Sequence, residues 1–546
     1  MRDLPDIAAG PASGAPPVHL AIIGFGPRGL AAAEYALASD PARRIDLFDP
    51  SPWPAAGPNF APDETPCCLL NLRAQEIKLP QVALRAYPAF STWITEMTGQ
   101  APQSDDYPPR QFLGRYLHQR FLALALAYPG ALTQHRQIAT HAWRDAAGWW
   151  IETHTGQYGP YDEVLLSIGQ PGTRADPTLE RWHAVAADCG ATVASAYPGH
   201  VLQQKARDWT GKTVAIRGLG LAALDVVAVL TLGQGGALIK GRYRRSGREP
   251  ASILPFSLDG LPPMPKPVAA LEHRFTLPQE MQASLRDALS RAMSRDPVAA
   301  VGEITDALVT PGRYLSGTDP TEWLITERKE AGAQDAGRAP VTVLREGIEM
   351  ACGRRPASAG YCIGQIWRNQ QEALREIFHT QDSSPETRAA ILEFDRGLKR
   401  LSYGPPLQTA RLLLALAEDG LLHLTLADDP AIRLSPTGWL LDNEAHAEVM
   451  IDAVLPSARL DLIEDPLIRS LERQSVLREN AASGGIDVDR NGHAAQGLSV
   501  LGRLTEGCSI ATDSIHDCFG DMTRGWARHL SCRDGSDTRG SGAARD

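Results

Sequence analysis

Three glycines spaced G-x-G-x-x-G, at Gly24, Gly26 and Gly29, and an aspartate about 20 residues further on, Asp49, are the first residues whose types and spacing could do chemistry. A glycine at position 24 permits a tight turn. One at 26 lets the backbone approach a pyrophosphate, and one at 29 lets a helix lie close to a strand. The N–H groups that open such a helix, with the positive end of its dipole, attract phosphate. Asp49 can accept both ribose hydroxyls. A second set, Gly218, Gly220 and Ala223, reads G-x-G-x-x-A. It is followed by Lys240 and by Arg242, Arg244, Arg245 and Arg248, where an acid would be expected to meet a free 2′-hydroxyl. Bases there prefer a 2′-phosphate. The second set therefore points to NADPH, with Gly218, Gly220, Arg242, Arg244 and Arg245 as its contacts. The alternative is an inherited fold element without a cofactor, its arginines a solvated face. The first set alone does not decide between FAD and NAD; its place at the chain start, with a second unit later, favours FAD. The 14 histidines show no pair at metal or triad spacing, and the eight cysteines, Cys67 and Cys68 among them, form no C-x-x-C pair. No metal site and no catalytic side chain is assigned.

The elements that must position these residues follow from periodicity. An apolar run at 20–23 reads as a buried parallel strand, an Ala-rich helix runs to about Ser39, and a strand at 44–48 ends at Asp49. Residues 50–59 form a turn-rich loop that excludes helix. Helices are expected from Phe90 and over 112–124. Residues 138–168 read as a three-stranded meander, 138–144, 149–154 and 161–168, closing on Gly169. In the second unit a strand leads to Gly218, a helix runs to about Leu232, and the next strand is 237–239. Residues 250–267 read as a connection or active-site loop. Residues 268–420 look mainly helical, for example 279–294 and 407–417. A second meander covers 422–426, 432–434, 439–441 and 448–455, and a strand at 498–501 feeds Gly502.

The fold class is therefore α/β, with two Rossmann-like dinucleotide-binding domains, β-meander insertions and an added helical region. The expected division is a disordered tail at 1–17; an FAD-binding domain at 18–170, completed by 461–532; an NADPH-binding-like domain at 205–256, completed by 421–460; a mainly helical insertion at 257–420; and a second disordered tail at 533–546. A chain of 546 residues is too long for one core. Its net charge of −10, from 54 basic and 64 acidic side chains, argues against a nucleic-acid surface. The nearest apolar run, 121–128, is too short to span a bilayer, and the N-terminus lacks the apolar core of a signal peptide. The expectation is a cytoplasmic protein with a small-molecule partner, no nucleic acid and no membrane, its oligomeric state open.

The stretches Ile22-Ile-Gly-Phe-Gly-Pro-Arg-Gly-Leu, Phe48-Asp-Pro-Ser-Pro, Leu69-Leu-Asn-Leu, Phe90-Ser-Thr-Trp, Pro109-Arg-Gln-Phe-Leu-Gly-Arg-Tyr-Leu, Gly218-Leu-Gly-Leu, Ser246-Gly-Arg-Glu-Pro and Leu501-Gly-Arg-Leu-Thr-Glu-Gly together resemble the FAD/NAD(P)-binding flavoproteins related to N-hydroxylating monooxygenases. That family includes enzymes that oxidise the α-amine of aspartate toward nitrosuccinate. The resemblance spans 18–256 and 422–531 and leaves the helical region uncovered. It implies FAD contacts at Gly24, Gly26, Pro27, Arg28, Gly29, Asp49, Pro50 and Ser51. Asn71 and Arg110 would border the flavin, and Gly169, Gly502 and Asp513 would lie beside it. Leu258 stands where the resemblance leads one to expect a base before Asp-Gly-Leu. The implied activity is an FAD-dependent, NADPH-using monooxygenase acting with molecular oxygen on an amino-acid-like amine. The alternatives are a flavin oxidase or dehydrogenase, and a flavin-binding partner without turnover.

Overall fold

His19–Ile23 is buried over all but its first residue, and it earns that burial by lying inside a parallel sheet with neighbours on both sides. The strand order is His493–Ala495, Leu498–Val500, Glu163–Leu166, His19–Ile23, Arg44–Phe48 and Leu132–His135, parallel except at the His493–Ala495 edge. This is the first sheet of a computed structural model that describes residues 18–330, 332–425 and 427–536. The tail expected at 1–17 lies outside the described residues. The tail expected from 533 does not begin there, because the helix Asp521–Ser536 runs through that point.

Helix Pro27–Ser39 opens with proline at its first position and crosses from the first strand to Arg44–Phe48. Ile23 pairs with Phe48, so the two strands end together and bring Gly24 and Asp49 to one edge. The strand expected at 161–168 is two strands. Gly156–Tyr161 closes the antiparallel meander with Ala139–Arg144 and Trp149–Thr153. Glu163–Leu166 joins the central sheet, and the Asp162 N–H donates to His19 O between them. Burial on both faces makes Val164-Leu-Leu read as a continuous apolar run. The loop at 50–59 leads into one short 3₁₀ turn, Pro58–Phe60.

The second sheet orders Ser252–Phe256, Thr213–Arg217, Val449–Asp452 and Thr192–Ser195, all parallel. Here the sequence reading is corrected. Ala237–Ile239 is not the second strand of the βαβ unit; it pairs antiparallel with Arg242–Arg244 in a separate hairpin. Lys240 and Gly241, both at positive φ, form its turn, as two-residue hairpin turns require. The true partner, Ser252–Phe256, lies in the stretch expected to be loop. Pro255 disguises it, since proline has no N–H for a ladder. Its neighbours on the outer edge bond instead: Ile253 N–H donates to Leu421 O and Ser257 N–H to Ala427 O. The segment expected as a strand at 422–426 makes only isolated bridges beside it. Helix Pro177–Cys189, capped by Asp176, and strand Thr192–Ser195 extend this sheet with residues the sequence left unassigned.

Between Ser252–Phe256 and Val449–Asp452 the chain builds helices from Gln279–Ala292 to Leu407–Glu418. They share one continuous apolar core with the second sheet, in which Trp367, Ile363 and Leu398 join Val214 and Ile216. No helix among the described residues is long and apolar enough to cross a membrane.

Candidate functional site

At the first glycine turn the three glycines have different neighbours. Gly24 has φ +82°, and a Cβ there would lie 2.5 Å from Ile168 Cα. A Cβ on Gly29 would lie 2.8 Å from Gly24 O. At Gly26 the nearest atom to a Cβ would be Gly57 Cα, at an ordinary 3.6 Å. Gly26 also opens helix Pro27–Ser39 without a side-chain cap and without an acid in the first turn. The donors of that turn are therefore left for an anion. The Asp49 carboxylate accepts from Phe25 N–H at 2.6 Å and from Ser51 N–H at 2.8 Å. It latches the turn to the strand end and keeps lone pairs for a ribose hydroxyl. Pro50 and Ser51 lead away from it, Ser51 Oγ accepting from Trp53 N–H at 3.0 Å.

Arg28 departs from its expected role. Its guanidinium is turned to the C-terminal segment, 2.6 Å from Asp517 Oδ2 and 3.3 Å from Thr512 O. Buried there, it is a tie within the protein; any phosphate contact from this position falls to its backbone. Gly502, at φ +99°, passes so close to Arg28 that a Cβ would lie 2.9 Å from Arg28 Nε. Gly169 (φ +71°) has open space on its Cβ side. Asp513 is half-exposed and pairs with Arg503 at 3.3 Å. Gly24, Gly26, Asp49, Gly169 and Gly502 thus share the C-terminal edge of the first sheet.

The second turn repeats the pattern. Gly218 has φ +110°, and a Cβ on Gly220 would meet nothing within 4 Å. Helix Leu221–Leu230 also starts without a side-chain cap or an early acid. The arginines expected to accompany it are elsewhere. Gly211 N–H donates to Glu249 O and Ala251 N–H to Lys212 O, which fixes the arginine segment at the opposite, N-terminal edge of the sheet. The helix between is about 15 Å long. Arg242 and Arg244 are exposed, and Arg245 Nε is 2.6 Å from Asp419 Oδ2. They do not reach a nucleotide seated on Gly218 and Gly220.

The two units and the helical region meet around a cavity of about 270 Å³. Cys67, Leu69, Asn71 and Arg110 wall it from the first unit, Leu221, Leu224 and Asp225 from the second, and Pro406, Thr409 and Leu412 from helix Leu407–Glu418 and its approach. Arg110 Nη2 lies 2.7 Å from Asp225 Oδ2, and the Tyr197 hydroxyl donates to that oxygen at 2.5 Å. Burial raises the Asp225 carboxyl above the ordinary range, with Arg110 opposing it. Asn71 Oδ1 and Arg110 Nε are buried without a partner among the described residues, inside the wall of the cavity. Asn71 and Arg110, singled out in the sequence, are brought together here. Asp225 and Tyr197 were missed, though one carboxylate inside the helix Leu-Ala-Ala-Leu-Asp-Val-Val-Ala-Val-Leu is a detectable signal.

Lys266, from the helical region, donates to Asn71 O behind this wall. Burial, with Arg368 adding repulsion, pushes its amine down to about 7. The unfolded chain, near 10.5, then binds more protons than the native state between pH 7 and 10.5. Stability should rise with pH across that window, by on the order of a few kcal/mol. Lys266→Met should flatten the rise, read as the melting-temperature difference between pH 7 and pH 9.5. An unchanged difference would show that Lys266 is protonated in the native protein.

Two mainly parallel sheets, each with an uncapped glycine turn at a strand end and meeting at a shared cavity, define an α/β fold with two dinucleotide-binding-type units. Residues 21–171 match the family described as FAD-NAD(P)-binding. The chain is 25% identical over 551 residues to an L-aspartate N-monooxygenase (nitrosuccinate-forming) of Streptomyces davaonensis, across 82% of this chain and 84% of that one. A second protein of that name, from Streptomyces cremeus, is 25% identical over 614 residues, across 91% and 90%. Nitrosuccinic acid synthase of Aspergillus oryzae is 31% identical over 266 residues, across 44% and 40%. In fold, the ornithine hydroxylase of Pseudomonas aeruginosa superposes with a TM-score of 0.50 at 11% identity, covering 94% of this chain and 99% of that one. An alignment over 91% of the chain must include the helical region, so the likeness is wider than the sequence motifs alone delimited.

Proposed function

We propose that this protein is an FAD-dependent, NADPH-using monooxygenase that N-hydroxylates an amino-acid-like amine in a biosynthetic pathway. The observation that carries the reading is the cavity at the junction of three regions, lined by Asn71, Arg110 and Asp225 among leucines. The names of the sequence relatives support N-oxygenation.

In this reading the backbone at Gly26 and the carboxylate of Asp49 hold the adenosine diphosphate half of FAD. Gly169, Gly502 and Asp513 border the rest of it, and Gly218 and Gly220 hold the pyrophosphate of the reductant. FAD supplies the redox chemistry, taking a hydride from the nicotinamide and activating molecular oxygen. The protein positions and desolvates. Leu69, Leu221, Leu224 and Leu412 exclude water, which disfavours the ammonium form of an amine and leaves its lone pair free to react. Asn71 and Arg110 give that cavity its polar wall, against which the amine and the rest of the substrate would be oriented. Asp225 holds the guanidinium in place. The balance is one amine, one oxygen molecule, one NADPH and one proton, giving a hydroxylamine, water and NADP⁺.

The test is mass spectrometry of reactions with NADPH and a panel of amino acids and polyamines. The expected result is a product heavier by one oxygen, formed in step with NADPH loss. Peroxide without an oxygenated product would place the protein among the oxidases. No turnover with FAD bound would make it a flavin-binding partner.

A further inference from the structure

In a βαβ nucleotide unit, the residues that follow the second strand face the 2′ position of the adenosine ribose: an acid there binds the free hydroxyl, and a base accommodates the phosphate. In the second unit that strand is Ser252–Phe256, with Phe256 opposite Arg217 on Thr213–Arg217. The chain leaves it through Ser257, Leu258 and Asp259. The Ser257 hydroxyl donates to Asp259 Oδ1 at 2.8 Å, and Gly260 N–H donates to Ser257 Oγ at 3.1 Å. This tight turn holds the Asp259 carboxylate beside the strand end. Asp428 is bridged to Ser257, and Asp429 N–H donates to Ser257 O at 2.8 Å. Both aspartates are exposed, and neither forms an ion pair among the described residues. Leu258 is 85% exposed.

Two cations at this edge are committed. Arg400 comes within 3.8 Å of Asp259 but also meets Glu327 at 3.7 Å and Asp335 at 3.2 Å, and its side chain is only 9% exposed. Arg217 is held by Asp176 at 2.6 Å and by Asp452 at 3.6 Å, toward the other neighbouring strand. Three carboxylates therefore stand where the ribose is read, and none of the ion pairs among the described residues brings them a cation that is not shared with other acids. A 2′-phosphate, with close to two negative charges, would meet repulsion and no guanidinium.

We infer that the second nucleotide site reads the ribose through Asp259 and takes NADH at least as readily as NADPH. This rests on the proposed reading of that unit as the reductant's site. The test is calorimetric titration of the FAD-loaded protein with NAD⁺ and with NADP⁺, at two salt concentrations. The expected result is affinities within about threefold of each other or tighter for NAD⁺, the gap narrowing as salt screens the carboxylates. Leu258→Arg should then tighten NADP⁺ by about tenfold, the worth of one charge-assisted contact, without tightening NAD⁺. Wild-type protein that binds NADP⁺ tenfold or more tightly than NAD⁺ would overturn the inference and leave the nucleotide site standing. Binding of neither, or binding that survives Gly220→Val unchanged, would overturn both.

Discussion

The purified protein is expected to be yellow and to release FAD, not FMN, on heating; Gly26→Val should be folded and colourless. Asp49 at the strand end offers acceptors to an adenosine ribose that FMN lacks. At Gly26 a Cβ meets only Gly57 at van der Waals distance, and φ is −84°, so the backbone of the empty protein accepts a side chain there. The valine instead stands in the path of the pyrophosphate toward the helix N-terminus. Losing two charge-assisted backbone bonds weakens binding by about a hundredfold or more. Gly29→Val makes the contrast: its Cβ falls on Gly24 O, so colour and melting transition should be lost together. A Gly26→Val protein that keeps stoichiometric FAD would refute this use of the turn.

A second large effect is expected at Arg120→Met. Glu34 is 0% and Arg120 1% exposed, and the guanidinium grips both carboxylate oxygens at 2.6 and 2.7 Å. The pair joins helix Pro27–Ser39 to helix Arg110–Ala127. Methionine would strand a buried carboxylate, at a cost of about 3–5 kcal/mol. Burial already raises the Glu34 carboxyl, with Arg120 opposing it; without Arg120 it rises further. A raised native value means the folded state holds the proton longer, so the variant should lose stability as pH climbs above the ordinary carboxylate range. Its deficit in melting temperature should be larger at pH 8 than at pH 5. Glu34→Leu combined with Arg120→Met should recover most of it. Equal melting of Arg120→Met and wild type at pH 8 would show that the pair contributes nothing.

How far the sequence carried depended on the range of the forces involved. The first glycine turn, its helix and the strand ending at Asp49 were legible because each is specified within a few residues. The second unit misled for a local reason too. Ala237-Leu-Ile is a better strand by propensity than Ser252-Ile-Leu-Pro-Phe, yet it lies in a hairpin while the proline-bearing segment takes the sheet edge. Assigning arginines to a 2′-phosphate followed from that one choice of strand. Of the cavity, Asn71 and Arg110 were identified by their motifs. Asp225, Tyr197 and Lys266 were not, since no spacing relates 71, 197, 225 and 266 until two sheets and a helical region have packed.

The first sheet is closed by its latest strand. Leu498–Val500 pairs with Glu163–Leu166, and Arg28 waits for Asp517. During synthesis at ordinary ribosomal speed, everything from 167 to 497 is made in on the order of tens of seconds. Through that interval the apolar edge Val164-Leu-Leu is uncovered, a template for pairing with other chains. The nascent chain is therefore most open to wrong pairing while its first domain is only part made and its second is still emerging. Truncation at 490 would leave every residue of the first glycine turn in place and the sheet beneath it permanently open.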